Sequence, residues 1–163
     1  MIIKKKPKIV KCRYGHCKHE TKELPVEDAV LSGRSAYYHK DCFQEKENIE
    51  KTVAMYMERV SPDVVVAELR KTINNIVYVK GVDSNYLLFA LNHYLDRGGK
   101  LNYPQGLHYV VQGKREKEAY QQMIEKKMKT EQQKVGFEIK ETTEDKFEYK
   151  PQQQTGFGAI LGR

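Results

Sequence analysis

The chain has 163 residues, of which 39% are hydrophobic and 31% charged, and its formal net charge is +7. That length suits one medium domain, or a small module joined to a helical domain. No apolar run approaches the roughly 20 residues that a membrane-spanning helix needs, so no membrane partner is expected. No secretory segment opens the sequence, and the expected location is cytoplasmic and reducing.

The charge is concentrated at the amino end. Residues 1–22 hold Lys4, Lys5, Lys6, Lys8, Lys11, Arg13, Lys18 and Lys22 against the single acid Glu20, a net of +7 that equals the whole-chain value. Residues 23–163 therefore balance to zero. Clustered Lys and Arg are what phosphates reward through counterion release, so this arm reads as a contact for DNA or RNA. Arg34 joins it as a further base, and Tyr14 offers a stacking platform. A basic terminus can also serve solubility alone.

Residues 8–12 read as a short strand that enters a turn at Arg13-Tyr14-Gly15-His16, and Gly15 gives that turn its freedom. All three cysteines lie in this region, as Cys12, Cys17 and Cys42, with His39 three residues before the last. Two close pairs, Cys-x4-Cys and His-x2-Cys, are the pattern of a tetrahedral zinc site. Four thiolate and imidazole donors leave no open position, so the Zn²⁺ is expected to be structural. A segment of about 40 residues buries too little apolar surface to fold unaided, and a structural zinc contributes roughly 10–16 kcal/mol in finger peptides. His16 and His19 flank Cys17, and either is an alternative ligand to it.

The run from Ser32 to Phe43, with Tyr38-His39-Lys40-Asp41-Cys42-Phe43 at its end, resembles the second half of treble-clef fingers of the LIM and poly(ADP-ribose) polymerase types. The resemblance implies that Cys12 and Cys17 form a zinc knuckle and that His39 and Cys42 open a helix. It also implies binding of nucleic acid or of protein.

Helical periodicity starts at Asp41 and runs to about Val60 through Phe43, Ile49, Val53 and Met57. Ser61, Pro62 and Asp63 read as the cap and first turn of a second helix. It would reach about Tyr78, bury Val65, Val66, Leu69, Ile73 and Ile76, and end at Gly81. Ser84 reads as the cap of a third helix, closed by Gly98-Gly99. Pro104 begins a short helix that carries Leu107, Val110 and Val111 inward, and a charged helix follows over about Gly113 to Gln133. Tyr86, Phe89, Tyr94, Tyr103 and Tyr109 read as core aromatics. His93 and His108 read as partly buried, hydrogen-bonded side chains.

The helical half, through Tyr86-Leu87-Leu88-Phe89-Ala90-Leu91 and residues 99–109, resembles small zinc-finger proteins of phages and mobile elements, and also the helical domains of primosomal proteins such as DnaD. That resemblance implies a role in replication or transcription. The expected fold is thus mainly α with a small α+β treble-clef-like zinc module. Its expected domains are an arm and finger over 1–43, a helical domain over 44–130 and a flexible tail over 131–163. Past Thr130 the composition turns polar and unable to support a core. Val135, Phe137 and Ile139 alternate as a short strand would, and Phe157, Ile160 and Leu161 form an apolar end. Such an end either docks on a protein partner or folds back on its own domain.

Signatures of an enzyme are absent: there is no nucleophile elbow, phosphate loop, Walker lysine or His-Glu-x-x-His run. The expected function is a non-enzymatic, nucleic-acid-binding accessory protein. The alternative is an adaptor or inhibitor that engages a host or replisome protein through its helical surface and tail.

Overall fold

The computed structural model describes residues 8–142, with side chains through residue 132. Two compact units divide the chain, Met1–Met123 and Ile124–Arg163. The described residues are mainly α-helical, with two small antiparallel sheets near the amino end.

β1 (Ile9–Lys11) pairs with β2 (Glu23–Pro25), Val10 opposite Leu24. β3 (Val30–Ser32) and β4 (Ala36–Tyr38) form a hairpin, Leu31 opposite Tyr37, whose turn places Gly33 at φ 67°. Only glycine adopts that backbone without a Cβ penalty. The two sheets are joined where Cys12 bridges Tyr37 and the Arg13 N–H donates to the Tyr37 carbonyl at 2.9 Å. Leu24, Tyr38 and Tyr14 are buried beneath them with Cys12 and Cys42.

α1 (Lys40–Arg59) follows at once and buries Cys42, Ile49, Val53 and Tyr56 along one stripe. α2 (Val66–Asn74) starts later than the sequence suggests. The Ser61 N–H still donates to the Tyr56 carbonyl at 3.1 Å, so Ser61 closes α1 and does not cap α2. Val65, expected in the core, is 60% exposed as a result, while Leu69, Ile73 and Ile76 are wholly buried. α2 runs into a π-helical turn, Asn75–Val79, which widens the spiral by one residue per turn. α3 (Ser84–Asp96) is capped by Asp83, whose side chain accepts from the N–H groups of Asn85 and Tyr86. The expected cap, Ser84, is instead buried as the first helical residue.

α4 (Leu107–Gln112) buries Leu107, Val110 and Val111 as their spacing predicts. The same spacing turns Tyr109 the other way, and it is 80% exposed; Tyr103 is 72% exposed ahead of Pro104. These two tyrosines are not core residues. α5 (Lys114–Thr142) begins beside α3, where Tyr120 packs on Tyr86 and Phe89 with ring centroids 5.2 Å apart. The helix continues through Val135, Phe137 and Ile139, where alternation had suggested a strand. The Lys, Glu and Gln around them are strong helix formers, and three alternating positions do not outweigh that preference.

The main core joins Ile49, Val53, Tyr56, Leu69, Ile73, Ile76, Leu87, Leu91 and Leu107. No described helix is long and apolar enough to cross a membrane.

Candidate metal centre

The chain approaches one point twice. Cys12 ends the β1 segment and its N–H donates to the Lys22 carbonyl at 2.6 Å. The turn that follows is closed by the Cys17 N–H donating to the Tyr14 carbonyl at 3.3 Å, which returns Cys17 beside Cys12. From the other side, β4 delivers His39 as the N-cap of α1, with extended backbone at φ −63° and ψ 153°. The His39 ring caps no backbone N–H, which leaves it free to face the cysteines. Cys42 then stands in the first turn of α1.

The four donor atoms of Cys12, Cys17, His39 and Cys42 all lie within 4.8 Å of one another. The His39 Nδ1 is 3.5 Å from the Cys17 Sγ and 3.9 Å from the Cys42 Sγ. A tetrahedral ion with bonds of about 2.3 Å to sulfur and about 2.0 Å to nitrogen has edges of roughly 3.5–3.8 Å between donors. The residues therefore fit a metal ion. No disulfide joins the cysteines.

Local electrostatics agree with an ion at this point. Burial works against ionising the Cys12 thiol, yet backbone N–H groups of Tyr14 and His39 directed at its sulfur outweigh that and hold its pKa below the ordinary thiol value. Burial pushes the Cys42 thiol far up, and Cys17, Cys12 and Asp41 add to the rise. One thiolate is thus favoured and a second beside it is resisted. A dication held by all three sulfurs removes that conflict, because a coordinating thiol is deprotonated outright.

Neither alternative histidine enters the tetrad. His16 stacks on Tyr78, centroids 3.6 Å apart and planes 12° apart. His19 pairs with Asp41 at 2.8 Å and lays its ring on that of His39 at 3.8 Å, so it supports a candidate donor ring. Compared with protein-family models, with curated proteins and with solved structures, the chain matches none. The centre is accordingly understood from its own residues.

Around it, the predicted bases are distributed as follows. Lys8, Arg13 and Arg34 are exposed and make no ion pair among the described residues. Lys11 sits 3.7 Å from Glu23, and Lys18 is held by Glu45 at 3.0 Å. Lys4, Lys5 and Lys6, like Phe157, Ile160 and Leu161 of the tail, lie outside the described residues. The sequence reading missed the seat beneath the centre. The Tyr14 hydroxyl donates to Glu45 Oε1 at 3.0 Å and meets the hydroxyl of Tyr78, and burial with these two partners pushes the Tyr14 pKa well above the ordinary phenol value. It stays protonated and remains a donor. Three residues from separate parts of the chain make this seat, and no local pattern announces it.

Proposed function

We propose that the tetrad holds structural Zn²⁺ in a finger of treble-clef type, and that the chain is a non-enzymatic accessory protein that binds nucleic acid. The observation that carries the reading is the closed set of four donors within 4.8 Å, in a segment whose Lys8, Arg13 and Arg34 are exposed. A turn carries Cys12 and Cys17, and after a hairpin the start of α1 carries His39 and Cys42; treble-clef fingers resemble this in taking one pair from a knuckle and one from the start of a helix. With four protein donors a bound zinc has no position for a reacting water, so its role is to cross-link the turn to α1. The bases around it, with the cluster in residues 1–22, give phosphates a cationic surface.

Salt-titrated shift assays on duplex and single-stranded DNA, with zinc content measured on the same sample, test this. Neutralising Lys8, Arg13 and Arg34 together is expected to weaken binding and to flatten the log–log salt slope by about 0.9 for each duplex phosphate that is no longer neutralised. One zinc per chain is expected. Affinity indifferent to both salt and these substitutions removes the nucleic-acid reading, and a folded sample free of metal removes the finger.

A further inference from the structure

A second feature of the first unit lies away from the finger. Between the end of α3, the connection that follows it, α4 and the start of α5 is a cleft of about 570 Å³, within the range of small-ligand sites. Tyr94, Tyr103 and Tyr109 line it, with Lys100, Asn102 and Gln105. Buried tyrosines would be packing, but two of these rings are left in water, at 72% and 80% exposure.

Glu116 also lines the cleft and is only 5% exposed. Its Oε1 accepts from Arg97 at 3.2 Å, and its Oε2 accepts from no described residue. His93 faces the same Oε1 at 3.7 Å, beyond a hydrogen bond. Two glycines make room for side chains that line the cleft. A Cβ at Gly113 would lie 2.0 Å from the Glu116 Oε2, and one at Gly99 would lie 2.3 Å from the Tyr94 ring.

Charge selects the occupant. Aromatic rings beside a carboxylate suit an organic cation, but Arg97 and Arg115 line an adjoining recess with Glu116, and Lys100 lines the cleft itself. Three cations against one carboxylate disfavour a cationic ligand and favour an anion that carries a flat ring. Tyrosine faces stack bases irrespective of sequence, and an acceptor-only carboxylate selects a base edge with adjacent N–H donors. We propose that this cleft binds one nucleotide, preferably guanine, with its base on the tyrosine faces, its N–H edge on Glu116 Oε2 and its phosphate on the surrounding Lys and Arg. Where the nucleotide belongs to a strand, this deepens the nucleic-acid reading given above and rests on it; a free nucleotide would not.

Amide NMR of the zinc-loaded full chain, titrated with guanosine monophosphate, thymidine monophosphate and short G-containing or all-T single strands, tests the proposal. Guanosine monophosphate or the G-containing strand should shift Gln105, Tyr109 and Gly113, with thymine counterparts weaker on the order of tenfold. Shifts with the strand alone assign a nucleic-acid site, and shifts with both assign a nucleotide site. Tyr103→Ala and Tyr109→Ala, at exposed positions that leave the fold intact, should each weaken binding about fivefold or more. Glu116→Gln should remove most of the guanine preference, and Gly113→Ala, which crowds the same carboxylate, should do likewise if the first variant folds poorly. Unmoved resonances with every ligand, or tyrosine variants that bind like the parent, overturn the proposal. Neutralising Lys8, Arg13 and Arg34 separates the two readings. Strand affinity that depends on those bases alone retains the finger surface and rejects the cleft; mononucleotide shifts without any salt-sensitive strand binding do the reverse.

Discussion

The hydroxyls of Tyr14 and Tyr78, 64 positions apart in sequence, are hydrogen-bonded to each other. Tyr14 belongs to the turn between Cys12 and Cys17 and Tyr78 to the π-helical turn after α2, so this pair seats the candidate metal centre on the helical body. The extra residue of the π turn matters here. Ile76 and Val77 are buried in the main core while Tyr78 packs against the finger cluster and stacks on His16.

Removing only the hydroxyl, in Tyr78→Phe, should cost about 1 kcal/mol, the net worth of one hydrogen bond. Tyr78→Ala also removes ring burial and the His16 stack, and should cost about 3 kcal/mol or more. Thermal melts of the zinc-loaded protein measure both. In a double-mutant cycle with Tyr14→Phe, a coupling energy near zero would show that the two hydroxyls act independently, against this account.

Metal removal should act unevenly. The four strands around the candidate centre are three residues each, too short to hold together without a further tie. The helical core has its own fully buried set in Leu69, Ile73, Leu87, Leu91 and Leu107. A chelator should therefore erase amide protection in β1–β4 and the first turn of α1, while α3 and the second half of α1 keep theirs in hydrogen-exchange measurements. Uniform loss, or none, would contradict a metal-dependent finger on a self-sufficient core.

How far the sequence revealed this arrangement follows from the range of each signal. The grouping of the four candidate donors was legible because paired donors on short turns are a local pattern, and the helices because Ile49, Val53, Leu69, Ile73, Leu87 and Leu91 repeat at helical spacing. Caps were less legible. Ser61 and Ser84 both look like N-caps, yet one closes the preceding helix and the other is displaced by Asp83, since several adjacent polar residues can satisfy one helix start. Tyr103 and Tyr109 were misread for a related reason. Their aromatic character suggested burial, whereas Tyr109 lies on the side of α4 away from Leu107, Val110 and Val111, and Tyr103 lies outside α4 in extended backbone ahead of Pro104. The Tyr14–Tyr78 seat had no local signature at all.

Asn48 offers a test of the helical body alone. It is 2% exposed within α1, donates to Ser84 Oγ at 3.1 Å and to Asn85 Oδ1 at 2.8 Å, and accepts from Gln44 at 2.9 Å. Both hydrogens of its amide are thus used, and they tie α1 to the start of α3. Asn48→Ala should cost about 1–3 kcal/mol by removing the amide that holds the buried Ser84 hydroxyl and ties α1 to α3, which for a chain of this size lowers Tm by roughly 2–4 °C per kcal/mol. Zinc content should be unchanged. A variant as stable as the parent would mean that water replaces the amide without loss.

A surface pair gives the pH dependence. Arg70 donates to both oxygens of Glu50, at 2.8 and 2.7 Å, joining α2 to α1. The bidentate guanidinium holds the Glu50 carboxyl below its ordinary value of 4.5. A depressed carboxylate pKa contributes stability that is fully present above the unfolded value and is lost as pH falls through the folded one. The pair's contribution should therefore be constant near neutral pH and should fade below about pH 4.5. Both side chains are substantially exposed, at 51% and 42%, so the effect is small, about 0.2–1 kcal/mol, and shrinks with added salt. Comparing Glu50→Gln with the parent should give a stability gap at about pH 7 that closes toward about pH 3. A gap that widens on acidification, or that ignores salt, would show that Glu50 acts through packing and not through its charge.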